Sequence, residues 1–535
     1  MNKGTACKME GKREYDKNPE YYNEILNNEI DILNNLILEQ IEAKDCNIIR
    51  YNETSFDNFR DLTYGHDGLL EIAYSLFKKY NLLGRILQDK YDFIFIDEYQ
   101  DTNPKIIEIF FRLLPSYKKT IIGLFGDSMQ AIYEDGIGDV ENYIKEGSII
   151  KIIKEDNYRC SEQVVQFINQ LRNDDLEQQV AFKMNKDDIL ETKDDRQGTV
   201  KLYYGIYDNK PNAFSSIDHK HDYMEVLNKL VEEANRGPED FRILMLTNKS
   251  ISGKAGFENL YDIFSARYFD PKDTIDKHLL SLQLLELVEL CNAYKSNNYN
   301  YVLSKIKKYG YSVRYVRDKV EIKKNFNKIL ESTKGALDTL ELAFESKLLK
   351  RSEKFSEYLR RKDTFLSQLK ENEEYIEFKF LYQKGNNTYS KMSKATSDWD
   401  EDEFKELERN LLKENFYVDL FSKKIKFNEI INYYDYMNEK TKFITMHKTK
   451  GSGIDNVLVV LDEYFWNAYD FKSIFCSSDD NEKKKHKNQK LIYVACSRAK
   501  VNLTCVKLIS KDEEQDILKW FKEAVKVEVK QEQLK

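Results

Sequence analysis

Residues 92–104 read DFIFIDEYQDTNP, and this run constrains the fold more tightly than any other part of the chain. Four apolar residues, Phe93 to Ile96, lead straight into the carboxylates Asp97 and Glu98. A short apolar run bounded by polar residues predicts a strand buried on both faces of a parallel sheet. Such a strand delivers its last side chains to the carboxyl edge of the sheet, where α/β folds bind ligands. One carboxylate there can hold Mg²⁺ and its neighbour can poise a water, the pairing that nucleotide hydrolysis needs. The phosphate loop GxxxxGK[ST] expected beside such a strand occurs nowhere in the 535 residues.

Length and charge bound the rest. A chain of 535 residues exceeds one core, so about three or four domains are expected. The net charge of −8 gives no global attraction to DNA, so a nucleic-acid site must be a local patch. Seven scattered cysteines without a CxxC pair read as reduced core thiols of a cytoplasmic protein. His219 and His221 lack companion ligands for a metal. No apolar stretch approaches the ~20 residues of a membrane span.

Along the chain, NEIDILNNLILEQIEA and residues 66–90 carry helical periodicity. Strands are predicted at Thr120–Phe125, near Ile149–Ile153, at Val200–Tyr204 and at Phe241–Leu246. Residues 183–198 are charged and turn-like, a domain boundary. From 272 to 435 the pattern is helical throughout, and strands return at Lys442–Met446, Val457–Leu461 and Val501–Val506. This order describes a sheet domain interrupted by a helical insertion.

Several blocks bear on chemistry. FGDSMQAIY (125–133) places Gln130 one turn after a strand end, where it can orient a water or sense a γ-phosphate; a capped loop also fits. NYRCSEQ (157–163) sets Arg159 before a helix that Ser161 can cap; a solvated side chain also fits. TMHKTKG (445–451) is a basic loop suited to a phosphodiester backbone. LIYVACSRAK (491–500) carries Arg498 in an apolar helical stretch, where a charge needs a partner such as a triphosphate. NEKKKHKNQK (481–490) fits either a DNA-facing patch or a solvated loop, and AVKVEVKQEQLK a solvated charged tail.

DEYQDTNP, GDSMQAIY, NYR, TMHKTKG and LIYVACSRAK follow one another in the order and approximate spacing of motifs II to VI of UvrD/Rep-like superfamily 1 helicases, which this chain resembles over residues ~66 to 507. The resemblance implies an ATP-driven motor moving 3′ to 5′ on single-stranded DNA, with ATP clamped between two RecA-like domains. It implies that Asp97 coordinates Mg²⁺, Glu98 is the catalytic base, Gln130 couples the γ-phosphate to DNA, and Arg159 and Arg498 are arginine fingers. Thr445, His447 and Tyr133 would lie against the DNA strand.

Departures from the family accompany the matches. The family's phosphate loop precedes motif II by some 200 residues, but only 96 residues stand before Asp97 here. GTACKMEGK (4–12) has glycines and lysines, but no strand leads into it. Gly453 stands where motif V carries a glutamate, and Asp135 where motif III carries a base-stacking tryptophan. The chain therefore reads as a helicase that begins late, its first sheet left with exposed apolar edges.

The resulting expectation is α/β: two RecA-like parallel-sheet domains, the first incomplete, with a helical insertion in the second. Residues 1–62 would be a remnant of a helical insertion and 63–190 the end of the first RecA-like domain. Residues 191–271 and 436–535 would form the second, around the insertion at 272–435. ATP and Mg²⁺ would be bound weakly without the phosphate loop, and the isolated chain would hydrolyse little ATP. Its partners would be single-stranded or tailed DNA and a separate chain carrying the missing half. A non-catalytic DNA-binding or regulatory protein on the same fold is the alternative.

Overall fold

The computed structural model describes residues 19–43, 50–52, 57, 63–133, 135–184, 188–212, 215–268, 271–311, 313–463, 469–476 and 482–528. GTACKMEGK lies outside the described residues, as do the last seven positions. The fold is mixed α/β with parallel sheets and many helices. The chain divides into two compact units, Met1–Ile152 and Ile153–Lys535.

In the first unit the expected periodic segments form helices α1 (Pro19–Ala43), α2 (His66–Lys79) and α3 (Asn81–Lys90). Strand β1 (Phe93–Ile96) pairs in parallel with β2 (Ile121–Leu124), Phe93 facing Ile121 and Ile96 facing Leu124. Burial of β1 on both faces is not observed: Phe93 and Phe95 are 59% and 64% exposed. The cause is the sheet itself, which among the described residues has only these two strands. Phe95 packs instead edge-on against the half-exposed Phe125, ring centroids 5.6 Å apart. The expected apolar edge is therefore present. The strand predicted near Ile149–Ile153 does not form, and Ile150 and Ile152 are 87% and 82% exposed. An apolar run becomes a strand only when a neighbouring ladder satisfies its amides and carbonyls.

The second unit holds a six-stranded sheet in which every pairing is parallel. Its strands are β3 (Thr199–Ile206), β4 (Arg242–Met245), β5 (Phe443–Thr445), β6 (Ile454–Val460), β7 (Ala499–Ile509) and β8 (Glu523–Lys526). Their spatial order is β8-β3-β7-β6-β4-β5. Central residues such as Leu202, Leu458, Val459, Leu503 and Val506 are fully buried, as parallel sheets require. Helices α4 (Glu162–Gln170), α5 (Ile217–Ala234) and α6 (Asn248–Ala255) precede the helical segment, which runs from Lys272–Ser281 to Phe427–Met437. Because β4 and β5 are hydrogen-bonded neighbours, everything between them is an insertion in one sheet.

Three details differ from the sequence reading. Residues 482–490 are not a loop but the opening turns of helix α7 (Glu482–Cys496), with Asn488 and Lys490 buried. Part of the charged C-terminal run is strand β8, added to the edge at β3. The contact boundary at Ile152/Ile153 falls ahead of the 183–198 turn, because residues 157–163 are bonded to the start of β7. The described cysteines are free, and burial pushes the thiols of Cys160 and Cys496 up, so they stay protonated.

The insertion core contains a titratable group. His278 packs edge-on against Phe264 and Phe416, and its Nδ1 lies 2.6 Å from the Tyr358 hydroxyl. Burial, then the nearby Arg267, push its pKa down to about 4. The unfolded chain binds this proton more readily, so the buried neutral ring stabilises the fold above pH ~6.5 and that contribution is lost as pH falls toward 4. Denaturant titrations at pH 7 and pH 4.5 are expected to show roughly 2 kcal/mol less of this loss in His278→Gln than in the parent chain.

Candidate functional site

The carboxyl edge of β1 is built around a turn that strains the backbone. Glu98 sits in the left-handed region, φ 48° and ψ 47°, and leads into the short helix Tyr99–Asp101. A non-glycine residue there costs on the order of 1–2 kcal/mol, and its neighbours hold it. The Glu98 amide donates to Asp97 Oδ1 at 2.9 Å. Gln100, fully buried, donates from Nε2 to Glu98 Oε2 at 2.5 Å and accepts from the Asp127 amide at 3.2 Å. Asp127 in turn accepts from the Met129 amide at 3.0 Å and from Gln130 Nε2 at 3.3 Å. One amide side chain thus joins the ends of β1 and β2. Gly126 is required by this closeness, since a Cβ there would lie 2.2 Å from Gln100 Oε1.

Asp97 is exposed at this edge, and Glu98 and Gln130 are half-buried beside it. Asp97, Glu98 and Gln130 are therefore brought together. Tyr133 is 49% exposed; burial and then the nearby Asp101 push its pKa up, so it carries no charge at neutral pH. Asp135 is exposed in the segment that follows.

In the second unit, Arg159 and Arg498 converge on one turn. Arg498, 1% exposed, donates to the Val494 carbonyl at 2.9 Å, the Ser452 carbonyl at 3.4 Å and the Ser497 hydroxyl at 2.9 Å. The charge expected to require a phosphate is thus satisfied by helix-end carbonyls and the 452 turn. Arg159 is exposed, and its stem crosses the neighbouring Gly453, where a Cβ would lie 3.5 Å from Arg159 Cδ. Its segment is sewn to the start of β7: Ser161 N donates to the Lys500 carbonyl at 2.7 Å. Ser161 occupies the N-cap, but its hydroxyl donates to the Val501 carbonyl at 2.9 Å instead of accepting from the helix.

Thr445 and His447 lie elsewhere. Thr445 ends β5, and by register it is level with the far part of β7, about 20 Å along the strands from Arg498. His447 is half-buried with Nε2 3.1 Å from the Tyr469 hydroxyl, and burial, then Lys487, push its pKa below 6.5. It is a neutral hydrogen-bonding ring at pH 7, not a cation.

Residues 5–151, which contain the β1 edge, match the family described as UvrD/REP helicase N-terminal domain. Over 497 residues the chain is 28% identical to the Gabija protein GajB of Bacillus cereus (strain HuB5-5), covering 85% of this chain and 64% of that relative. The chain resembles UvrD-like helicases. Shorter matches run to the RecBCD enzyme subunit RecB. In Buchnera aphidicola subsp. Acyrthosiphon pisum the identity is 36% over 107 residues, 20% of this chain and 9% of the relative. In Chlamydia muridarum it is 30% over 115 residues, 20% and 11% of the two chains. The chain spans less than two thirds of the GajB relative and about a tenth of the RecB relatives.

Two residues that position the motifs escaped the sequence reading. Gln100 gave no signal beyond being a polar residue next to an apolar strand. Arg196, in a charged run that reads as solvated, is 5% exposed and donates at 2.8 Å to the carbonyls of Tyr158, Asn157 and Cys160. It thereby clamps the turn carrying Arg159. Structure also separates two look-alikes. Leu461-Asp462-Glu463 repeats the apolar–Asp–Glu pattern of β1 at the end of β6. Here Tyr223 donates to Asp462 at 2.6 Å and the buried Lys507 amine lies 3.2 Å from Glu463, so both carboxylates of this pair are engaged internally.

Gln100→Leu is expected to cost about 1–3 kcal/mol, because it leaves the Asp127 amide without its acceptor. Thermal unfolding of that variant checks the value. Arg196→Met strips three carbonyls of a donor, and hydrogen exchange should show faster exchange confined to residues 157–163; unchanged exchange there would refute the clamp.

Proposed function

We propose that this chain works as an ATP-driven motor on DNA, moving 3′ to 5′ along single strands through two RecA-like domains, and that the 535 residues alone hydrolyse little ATP. The observation that carries the reading is the β1 edge, where a solvent-facing Asp97 stands beside a Glu98 locked by Gln100 to the Gln130 turn. Asp97 fits a magnesium ligand: among the described residues its second carboxylate oxygen takes no hydrogen bond. No cluster of three metal-ligating side chains occurs among the described residues. A single carboxylate with phosphate oxygens is the way Mg²⁺ is commonly held on nucleotides.

Bound Mg-ATP would supply the phosphoryl group and neutralise part of its charge. Glu98 would orient the attacking water and hold its proton, and Gln130 would register the terminal phosphate. Arg159 and Arg498 would oppose charge on the transferred group, an effect of roughly 10³-fold or more in related reactions. For Arg498 this requires exchanging its carbonyl partners for phosphate oxygens. Thr445, His447 and Tyr133 would contact the DNA strand by hydrogen bonding and stacking.

Low activity of the polypeptide follows from its content. GxxxxGK[ST], the motif whose backbone amides and lysine hold the β- and γ-phosphates, does not occur in the 535 residues. A second polypeptide supplying that loop is proposed as partner; the RecB relatives are themselves named as subunits of an enzyme. A cytoplasmic location accords with work on DNA. Among the described residues no helix is long and apolar enough to cross a membrane.

A second reading, a non-catalytic DNA-binding or regulatory protein, is favoured by the engagement of all three Arg498 guanidinium nitrogens with backbone and serine oxygens. Purified polypeptide with Mg-ATP and single-stranded DNA is expected to bind DNA yet turn over more slowly than about 1 s⁻¹. Faster turnover that Glu98→Gln abolishes would overturn the low-activity claim while establishing the motor. Absence of DNA binding would remove the motor reading itself.

A further inference from the structure

A cavity of about 710 Å³ opens in the second unit between α5 and α6, floored by the starts of β4 and β5. That size lies within the range of small-molecule sites. Nothing in the motif chemistry uses it.

One lining group lacks a direct partner. The Lys254 amine, on α6, is half-buried and has no hydrogen-bond or ion-pair partner among the described residues. A partly desolvated ammonium favours an anion beside it. Lys442 stands close enough to Lys254 to repel it, so an anion between them would relieve both. Apolar lining comes from Phe443, Met224 and Val231. Inorganic phosphate alone would fill a small part of this volume.

We infer that the cavity binds an organic phosphate the size of a nucleoside 5′-monophosphate. Its phosphate lies between Lys254 and Lys442, and its ring packs on Phe443.

The protonation of Lys254 supports this assignment. Burial pushes its pKa down to about 8; Glu232 on α5 and Asp462 after β6 pull it back up, and Lys442 lowers it. Lys220 and His221 of α5 and Glu258 beyond α6 also face the cavity, while Lys249 is held by Asp262 at 2.6 Å. The anion-binding form of Lys254 is therefore present below pH 8 and lost above it.

Calorimetric titration of the full chain with deoxyadenosine 5′-monophosphate in EDTA tests the site. Saturable one-to-one binding is expected, at least about tenfold weaker in Lys254→Met and in Lys442→Met, and unchanged in Asp97→Ala. Deoxyadenosine without phosphate is expected to bind at least about tenfold more weakly, and affinity to fall about tenfold from pH 7 to pH 9 except in Lys254→Met. Methionine matches the lysine stem in length and packing, so the variants retain their fold, which circular dichroism verifies. No saturable binding up to ~10 mM, equal binding by Lys254→Met, or loss of binding in Asp97→Ala would each overturn the assignment.

Discussion

Parallel strands cannot close on themselves through tight turns, so each pairing must be reached by a crossover and covered on both faces. In the second unit this constraint is met. Helices lie over the β8-β3-β7-β6-β4-β5 sheet, and its central residues are fully buried. That rigid body presents the Ser452–Gly453 turn at the amino ends of β6 and β7, where Arg159 and Arg498 meet. In the first unit the sheet of β1 and β2 has just these two strands among the described residues, and the cost is visible as exposed phenylalanines.

Within that smaller sheet, order at the carboxylates comes from side chains as well as from the ladder, which continues through Phe125 to Tyr99. Gln100 spans the ends of the two strands, holds Glu98 in its left-handed turn and ties it to Asp127 and Gln130. The comparison with Asp462 and Glu463 shows why sequence pattern alone is ambiguous here. Both acid pairs follow apolar strands, but one is exposed and the other is closed by Tyr223 and Lys507. Partners drawn from distant segments decide which pair is available for chemistry.

Much of the architecture was legible in the sequence. Short apolar runs at Phe93–Ile96, Ile121–Leu124, Thr199–Ile206 and Arg242–Met245 became strands because their patterns are local. The helical insertion was legible for the same reason, through a period that any few turns reveal. The strand near Ile149–Ile153 was misread because an apolar run needs a pairing neighbour that pattern cannot report. The loop reading of 481–490 failed because lysine-rich composition does not oppose a helix whose later turns are anchored in a core.

The amino-acid order by itself determined most of the strands and helices, the Asp97–Glu98 pair and the series of motifs, since each depends on residues within about ten positions of one another. Only tertiary structure decided which charges remain available. Arg498 is spent on carbonyls of Val494 and Ser452, Arg196 is buried as a clamp, and Lys254 is left facing a cavity. The reason is physical: the state of a charged group is set by the partners and solvent around it, and folding draws those partners from segments tens to hundreds of residues away.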